Sequence, residues 1–380
     1  MDKKIAIATL YTGFNFGSSL QAYAVKTLME DLGYTAEIWK VKGSIIKGRD
    51  IRLQKLFVML IRAIFIKNGY KQLKNYKKGY AKKISEGSKA KFNYFANNFL
   101  AVRELAYSKM RKLAKQECYK AFVCGSDQIW NATALYIDPF YYLRFAPQEK
   151  RVAFAPSFGK AQVLSANQKK IKKYISQIPY KSVRERSGAY IVQNLTGESI
   201  PVLVDPTLLL DEKKWCDKLK IKDVERSSYL LAYFLDKPNK KAIKIMEQLK
   251  AEYGLKIINL PYEFSDEQSF NSLSAGPDDF LSLIKNASFV CTDSFHGTAF
   301  SLNFNIPFYT FERNYGMAEK QSTRIHSLLS KTNMLNRFEP NTINDCFKIS
   351  FDFVNEILCI EREKAIMYIE ETLKQIENKR

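Results

Sequence analysis

Short apolar runs alternate with longer amphipathic stretches along most of this 380-residue chain. The first run, KKIAIATLY, is apolar and partly β-branched and predicts a strand. Glycines and Asn15 then predict a turn, and Leu20, Ala24 and Leu28 recur at helical spacing. Gly33 ends that helix, and TAEIWKV predicts a second strand. A strand, a helix and a strand in this order are the opening of a parallel α/β sheet.

The alternation resumes beyond residue 120 and forms two series. Strands of the first series are predicted at AFVCGS, RVAFAP and PVLVDP, and the second series begins at SSYLLAYFLD. A lysine-rich stretch at residues 211–226 predicts the connection between them. We therefore expect an N-terminal Rossmann-like domain over residues 1–222, a C-terminal one over residues 223–362, and a C-terminal helix over residues 363–380. The predicted fold class is α/β, with two facing Rossmann-like domains in the arrangement called GT-B and a C-terminal helix that crosses back.

Residues 45–120 interrupt the alternation and predict a helical insertion in the N-terminal domain. The chain has a net charge of +21, and between Lys47 and Lys120 there are 20 Lys and Arg against 4 Asp and Glu. Most of the excess charge therefore lies in one segment. Such a patch favours a polyanionic partner, which can be nucleic acid, an acidic membrane surface or a phosphorylated substrate.

Within this segment the cationic and apolar residues fall on opposite sides of the predicted helices. The cationic positions are Arg52, Lys55, Arg62, Lys67, Lys71, Lys74 and Lys78, and the apolar positions are Leu53, Leu56, Phe57, Leu60 and Ile64. A basic amphipathic helix of this kind can lie in the interface of an anionic bilayer, so we predict that the cationic residues contact a membrane. The alternative is a solvated helix face on the N-terminal domain.

Other residue types narrow the class of protein. The basic segment lacks a zinc-finger, RRM or KH signature, so we expect no nucleic-acid partner. The six cysteines are scattered and form no CxxC pair, and the first residues do not resemble a secretory signal, so we expect a cytoplasmic protein with reduced thiols. With two histidines and no clustered carboxylates, we expect no metal site.

One of the two histidines, His296, is the main candidate for chemistry. It lies in TDSFHG, between the predicted strand SFVC and the next helix. Ligands bind at the carboxyl ends of strands in open α/β sheets, and histidine titrates near neutral pH. The alternative is a core histidine that the backbone satisfies.

Six motifs in chain order together resemble the polysaccharide pyruvyltransferase family. They are NFGSSLQAYAV, VCGSDQIWN, SVRERSG, VDPTLLL, TDSFHGTAFSLNFNIPF and STRIHSLL. The resemblance implies a GT-B-like fold and transfer of a pyruvyl group from phosphoenolpyruvate to a sugar diol as a ketal, with no further cofactor. It also implies work in the cytoplasm on a surface-glycan acceptor that is often lipid-linked. With the basic segment, this places the enzyme on the inner face of the plasma membrane.

Ketal formation from an enol phosphate needs a proton at the methylene carbon, a grip on carboxylate and phosphate, and deprotonation of a sugar hydroxyl. We assign the acceptor to the N-terminal domain and the donor to the C-terminal domain. The predicted catalytic residues are His296 and Asp127. The predicted substrate-binding residues are Arg184, Arg186, Arg324, Asn15, Gly17, Ser126, Ser294, Gly297 and Thr298. Family members carry an arginine where this chain has Ser294, and Arg324 is the candidate to replace it.

Each of these assignments has a structural alternative. Arg184 and Arg186 with Glu185 can form a surface ion-pair cluster, and turn chemistry alone explains Gly-Ser-Asp at Asp127. We interpret three further residues as structural: Asp293 as the cap of the helix at Gly297, Asp205 as a strand terminator, and His326 as structural or exposed.

Two other functions stay open at this point. A GT-B glycosyltransferase that uses a nucleotide sugar would have the same fold but would bind a nucleotide. A protein that binds a glycan or another polyanion without catalysis would also fit, and Ser294 keeps that possibility open.

Overall fold

The computed structural model describes residues 3–43, 52–66, 69–78, 85–222, 227–260, 273–313 and 323–379. The chain divides into two compact units. Unit 1 comprises Met1–Ala81, Ala96–Leu209 and Glu363–Arg380, and unit 2 comprises Lys82–Phe95 and Leu210–Arg362. The boundary predicted at residue 222 lies inside unit 2.

Unit 1 is built on a sheet of six parallel strands. These are β1 Lys4–Ala8, β2 Thr35–Val41, β3 Val102–Leu105, β4 Tyr119–Cys124, β5 Arg151–Ala153 and β6 Tyr180–Lys181. Their order is β3-β2-β1-β4-β5-β6, and every neighbouring pair is parallel. The central strands are buried on both faces, which explains why they are continuous apolar runs in the sequence.

The helices of the first half of the chain include one whose residues belong to both units. They are α1 Phe16–Asp31, α2 Leu53–Phe65, α3 Gly69–Lys78, α4 Glu86–Phe99, α5 Tyr107–Leu113, α6 Ser165–Ile175 and α7 Arg186–Thr196. The shared helix is α4, and its first part lies on unit 2, where Lys91 pairs with Asp279 at 2.8 Å and Ser88 accepts a hydrogen bond from the Ala275 N–H. Part of the predicted insertion therefore belongs to unit 2.

Unit 2 is built on a smaller parallel sheet. Its strands are β7 Ser227–Tyr233, β8 Lys256–Leu260, β9 Ala287–Thr292 and β10 Phe308–Thr310, in the order β10-β9-β7-β8. Its helices are α8 Glu212–Leu219, α9 Lys240–Tyr253, α10 Pro277–Lys285, α11 Phe295–Asn303 and α12 Thr323–Lys331. Leu230, Ile245 and Phe289 are among the buried residues of its core.

The last helix, α13 Asp352–Asn378, begins with residues of unit 2 and ends with residues of unit 1. It starts before residue 363, where the helix was predicted to begin. With one Rossmann-like parallel sheet in each unit, the predicted fold class is confirmed. None of the helices that the structure describes is long and apolar enough to cross a membrane.

The basic segment forms the predicted helices, with Arg52 as the N-cap residue of α2, but two of its arginines face the protein. Arg52 pairs with Asp138, and Arg62 donates a hydrogen bond to Asn167 Oδ1 at 2.6 Å. The guanidinium groups of Arg52 and Arg62 therefore bind the body of unit 1, an arrangement that the sequence pattern did not predict. Lys55 is half-buried.

The other residues predicted to contact a membrane are lysines in or near α3. Lys71 and Lys74 are exposed on α3, and Lys78 is the last residue of that helix. Lys67 lies outside the described residues.

Candidate active site

Each sheet contains a switch point, where the chain leaves two neighbouring strands towards opposite sides of the sheet. In unit 1 this is between β1 and β4, and in unit 2 it is between β7 and β9. Crevices at the carboxyl ends of such strands are where open α/β sheets bind ligands. The candidate residues should therefore follow these four strands, and most of them do.

At the unit 1 switch point, a loop over residues 9–15 connects β1 to α1. Asn15 is its N-cap residue and accepts a hydrogen bond from the Ser18 N–H at 3.0 Å, and Gly17 is buried in the first turn. The Ser18 hydroxyl donates to Asp127 Oδ2, and Gln21 Oε1 accepts from the Ser126 N–H at 2.9 Å. These contacts bring together the four residues predicted here from two distant motifs.

The loop after β4 needs its glycine. Gly125 has a φ of 131°, and a Cβ there would lie 2.0 Å from the Phe154 carbonyl oxygen. The next residues turn sharply, and Asp127 itself has a φ of 58°. Its Oδ1 accepts from the Gln128 N–H at 2.8 Å, so both carboxylate oxygens are engaged by the protein and fixed in direction. An oxygen of this kind can accept a further hydrogen bond from a ligand hydroxyl.

Arg184 lies in a buried charge cluster rather than on the surface. It pairs with Asp205, and the two side chains are 3% and 0% exposed. Burial by itself would lower the pKa of Arg184, but the Asp205, Glu185 and Asp127 carboxylates together raise it. Asp205 also caps the short 3₁₀ helix Pro206–Leu208, so its role is structural as expected, but the residues before it do not form the predicted strand. We therefore assign Arg184 a positioning role in unit 1.

The two residues that follow Arg184, Glu185 and Arg186, have different environments. Glu185, which the sequence analysis did not select, is buried and accepts from the Phe158 N–H at 2.8 Å and the Ser157 hydroxyl at 3.0 Å, so it fixes the loop after β5. The only signal for this role was its position between two arginines. Arg186 is exposed at the first residue of α7 and is the more accessible of the two arginines.

At the unit 2 switch point, β9 runs into α11. Ser294 is the N-cap residue of α11 and accepts from the Gly297 N–H at 3.4 Å. His296 is in the first turn, 7% exposed, and its ring meets the edge of Phe295 with centroids 5.3 Å apart. The histidine is thus held at a helix N-terminus at the carboxyl end of a central strand, where predicted.

Small residues let α11 pack against β9 and β10. A Cβ at Gly297 would lie 2.5 Å from Thr292 Oγ1, so glycine is required there. The Thr298 hydroxyl donates to the Ser294 carbonyl at 3.0 Å and lies 2.8 Å from Thr310 Oγ1. Thr298 therefore serves helix packing in this structure.

Asp293 does not cap α11, and that interpretation was wrong because the neighbouring Ser294 takes the cap position. Its carboxylate instead accepts from the Leu235 N–H at 2.6 Å and the Asp236 N–H at 3.1 Å, which ties the ends of β7 and β9 together. It also pairs with Arg313 at 3.3 Å. Burial raises the pKa of Asp293 to about 6, although Arg313 and the two backbone N–H groups act in the opposite direction.

Two arginines lie near the start of α11. The Arg324 guanidinium is 5.6 Å from the centroid of the ring of Phe295, the residue between Ser294 and His296. Arg313, which the sequence analysis missed, follows β10 and donates to the Asp293 carbonyl at 3.2 Å. The signal for it was a cation directly after an apolar strand. The other histidine, His326, is exposed and packs against Phe338, as expected.

No group of three or more His, Cys, Asp or Glu side chains in the described ranges could hold a metal ion.

No curated protein matches the chain in sequence. Among solved structures, UDP-N-acetylglucosamine 2-epimerase from Rickettsia bellii has 12% identity and a TM-score of 0.46, and the match covers 99% of this chain and 98% of that one. The glycosyltransferase SnogD from Streptomyces nogalater has 9% identity and a TM-score of 0.42, with 96% and 95% covered.

A family model described as polysaccharide pyruvyl transferase matches residues 15–315. The match begins at the N-cap residue of α1 and extends past Arg313, so it includes the residues of both switch points. The chain belongs to the polysaccharide pyruvyl transferase family.

Proposed function

We propose that this transferase moves a pyruvyl group from phosphoenolpyruvate to two hydroxyls of a sugar and closes a ketal. The observation that carries the proposal is the family match over residues 15–315. The positions of His296 and Asp127, each at the carboxyl end of a strand beside a switch point, support it.

Unit 2 supplies the groups that suit the donor. Phosphoenolpyruvate carries a carboxylate and a phosphate, and an arginine fork meets such groups with paired, charge-assisted hydrogen bonds. Arg324 lies beside Phe295 at the start of α11, and the N–H groups of a helix N-terminus favour anions. We assign Arg324 the role of the arginine that family members carry at the position of Ser294.

The reaction balances with two proton transfers. One sugar hydroxyl adds to C2 of the enol phosphate and gives up its proton, while a proton joins the methylene carbon, which becomes a methyl group. The C2–O bond to phosphate then breaks, the second hydroxyl adds to C2, and its proton leaves with the phosphate. His296 is the group that we assign to proton transfer at the donor, since histidine both gives and accepts protons near neutral pH.

Unit 1 supplies the groups that suit a diol. The Asp127 carboxylate is fixed by Ser18 and Gln128 and is the candidate to accept the proton or the hydrogen bond of an acceptor hydroxyl. Arg186, which follows Arg184 and Glu185 in the chain, is exposed and suits an anionic part of the acceptor. A sugar linked to a polyprenyl diphosphate has such a part, and we propose this acceptor class at the inner face of the membrane.

Mass spectrometry of lipid-linked glycan intermediates, incubated with the protein and phosphoenolpyruvate, tests the reaction. The expected product gains the mass of one pyruvate less one water, with one phosphate released for each ketal. The same intermediates incubated with nucleotide sugars provide the comparison. A gain equal to a sugar residue, with no gain from phosphoenolpyruvate, would show a glycosyltransferase instead.

A further inference from the structure

Helix α2 exposes an apolar face. Leu53, Phe57, Ile64 and Phe65 are 75%, 65%, 79% and 82% exposed, and Leu60 and Ile61 are also exposed. At 100° per residue these six side chains fall within one arc of the helix, which contains one polar residue, Gln54. Surface helices of soluble proteins normally turn their apolar stripe inward, so this arrangement indicates a surface that has a partner.

Contacts on the opposite side hold the apolar face outward. Arg62 donates to the Leu135 carbonyl at 3.1 Å and to Asn167 Oδ1 at 2.6 Å, while Arg52 pairs with Asp138. The buried residues of α2, Met59 and Ala63, form a small core with Leu73 of α3 and with Leu135. A Cβ at Gly69 would lie 2.7 Å from the backbone of Ala63, so the two helices touch at their junction. The orientation of α2 is therefore fixed by unit 1.

The charge around this face selects the partner. Apart from Arg52 and Arg62, which bind unit 1, the sequence from residue 52 to residue 78 contains six Lys and no Asp or Glu. Lys71 and Lys74 are exposed on α3. A second copy of the chain docked through the same face would bring like charges together, which is unfavourable. An anionic bilayer offers both an apolar interior for the exposed face and negative headgroups for the lysines.

We propose that α2 is a membrane-insertion helix, whose apolar face enters an anionic bilayer while the lysines of α3 bind the headgroups. Its arginines act as anchors to unit 1, in contrast to the usual amphipathic helix that binds lipid through its cationic side. The importance of this binding for a lipid-linked acceptor rests on the proposed function, but the binding itself does not.

Vesicle sedimentation tests the apolar face. Purified protein is mixed with vesicles of phosphatidylcholine containing about one quarter phosphatidylglycerol, a lipid that gives the surface its negative charge. The Leu53→Ser, Phe57→Ser, Ile64→Ser triple variant should lower the partition coefficient at least about tenfold without unfolding, since these side chains are exposed. The matched control is Tyr190→Ser, Ile243→Ser, Met367→Ser, at three exposed apolar side chains elsewhere, and it should bind as wild type does.

The same assay tests the lysines. Lys71→Gln with Lys74→Gln should weaken binding by about 25-fold, which is about fivefold for each lysine near an anionic surface. Lys244→Gln with Lys250→Gln, two exposed lysines of α9, is the control and should have no effect. Binding of wild type should also weaken as salt is raised and should be absent with pure phosphatidylcholine.

A tryptophan reporter measures insertion directly. The three native tryptophans, Trp39, Trp130 and Trp215, are at most 1% exposed, so they contribute little quenching by lipid. Fluorescence of a Phe57→Trp variant should be quenched by brominated acyl chains, whereas fluorescence of Tyr190→Trp should not.

Three results would overturn the proposal. The first is that wild type fails to bind anionic vesicles at low salt. The second is that the apolar triple variant and its control lose binding equally. The third is that wild type does not bind vesicles but forms a solution dimer, which the substitutions of the apolar triple variant dissociate. Failure of the proposed function would look different. Wild type would then bind vesicles as predicted but would transfer no pyruvyl group, either to a membrane-bound acceptor or to a water-soluble one.

Discussion

Arg184 and Asp205 form an ion pair in which neither side chain is more than 3% exposed. The pair links the end of β6 to the 3₁₀ helix at Pro206, and the Ser126 hydroxyl lies 3.5 Å from the same aspartate oxygen. Asp205 thus connects Arg184 to the loop that carries Asp127. The integrity of this pair should decide both the stability of unit 1 and the geometry of that loop.

Removing one partner of the pair should be costly. Arg184→Met leaves a buried carboxylate without its cation, and we expect the free energy of unfolding to fall by about 3–5 kcal/mol. Urea denaturation measures this. Arg186→Met, at the exposed neighbour, should stay within about 0.5 kcal/mol of wild type. Equal stabilities of the two variants would contradict the structural role of Arg184.

His296→Ala should lower kcat by about 10²–10⁴ through loss of one acid–base group. Phosphate release from phosphoenolpyruvate measures the rate, and circular dichroism checks that the variant folds. The other histidine provides the control, because His326→Ala changes an exposed residue and should keep normal turnover. A folded His296→Ala variant with wild-type kcat would exclude His296 from the chemistry.

Arg324→Gln should weaken the use of phosphoenolpyruvate more than the use of the acceptor. A charge-assisted hydrogen bond contributes about 1.5–3 kcal/mol, so kcat/KM for the donor should fall roughly 10- to 150-fold. Lys331→Gln, at the last residue of the same helix, is the control. If only the KM of the acceptor rises, Arg324 binds the other substrate.

Asp293 should make a distinct contribution to the pH dependence of stability. Its pKa is raised to about 6, above the ordinary aspartate value of about 3.9, because burial disfavours the charged form. Between these values the folded chain keeps the proton that the unfolded chain has released. Stability from this group is therefore full below about pH 4 and is lost as the pH rises through about 6.

The difference in unfolding free energy between wild type and Asp293→Asn isolates this effect. As the pH rises from about 4 to about 7, the unfolding free energy of wild type should fall by about 2–3 kcal/mol relative to that of Asp293→Asn. Asp217→Asn, at an exposed aspartate of unit 2, serves as the matched control and should show no such shift. A difference that stays constant, or that moves in favour of wild type, would contradict the burial of a protonated Asp293.

The central strands could be predicted from the sequence because buried parallel strands are continuous apolar runs. The edge strand β3 was missed, since it lies in the segment predicted as a helical insertion, and the strand predicted at PVLVDP does not form. The site was predictable to the level of the loop, since functional side chains follow the ends of strands. It was harder to predict which polar residue of a loop takes a given role. Asp293 and Ser294 are neighbours with similar capping tendencies, and only the backbone turn decides that Ser294 becomes the cap of α11.

Two further features of the structure could not be predicted for the same kind of reason. Arg184 and Arg186 look alike in the sequence, but one is buried and the other exposed, which depends on the packing of the loop after β6. The pattern of α2 correctly separated Arg62 from Ile64 onto opposite sides. Amphipathicity does not say which side meets the protein, and that depends on the positions of Asp138 and Asn167, far away in the sequence.

The placement of α13 has a consequence for how the protein is made. Ile369, Leu373 and Ile376 are buried, and Glu377 pairs with Lys3 at 2.8 Å, within unit 1. The central strand β1 is synthesised before the other strands of its sheet, yet its unit receives these contacts only after residues 363–379 have been synthesised. All residues of unit 2 have been synthesised once the chain reaches residue 362. The nascent chain should therefore complete unit 2 while unit 1 is still open, so chaperone binding and protease sensitivity during translation should concentrate on the half of the protein that was made first.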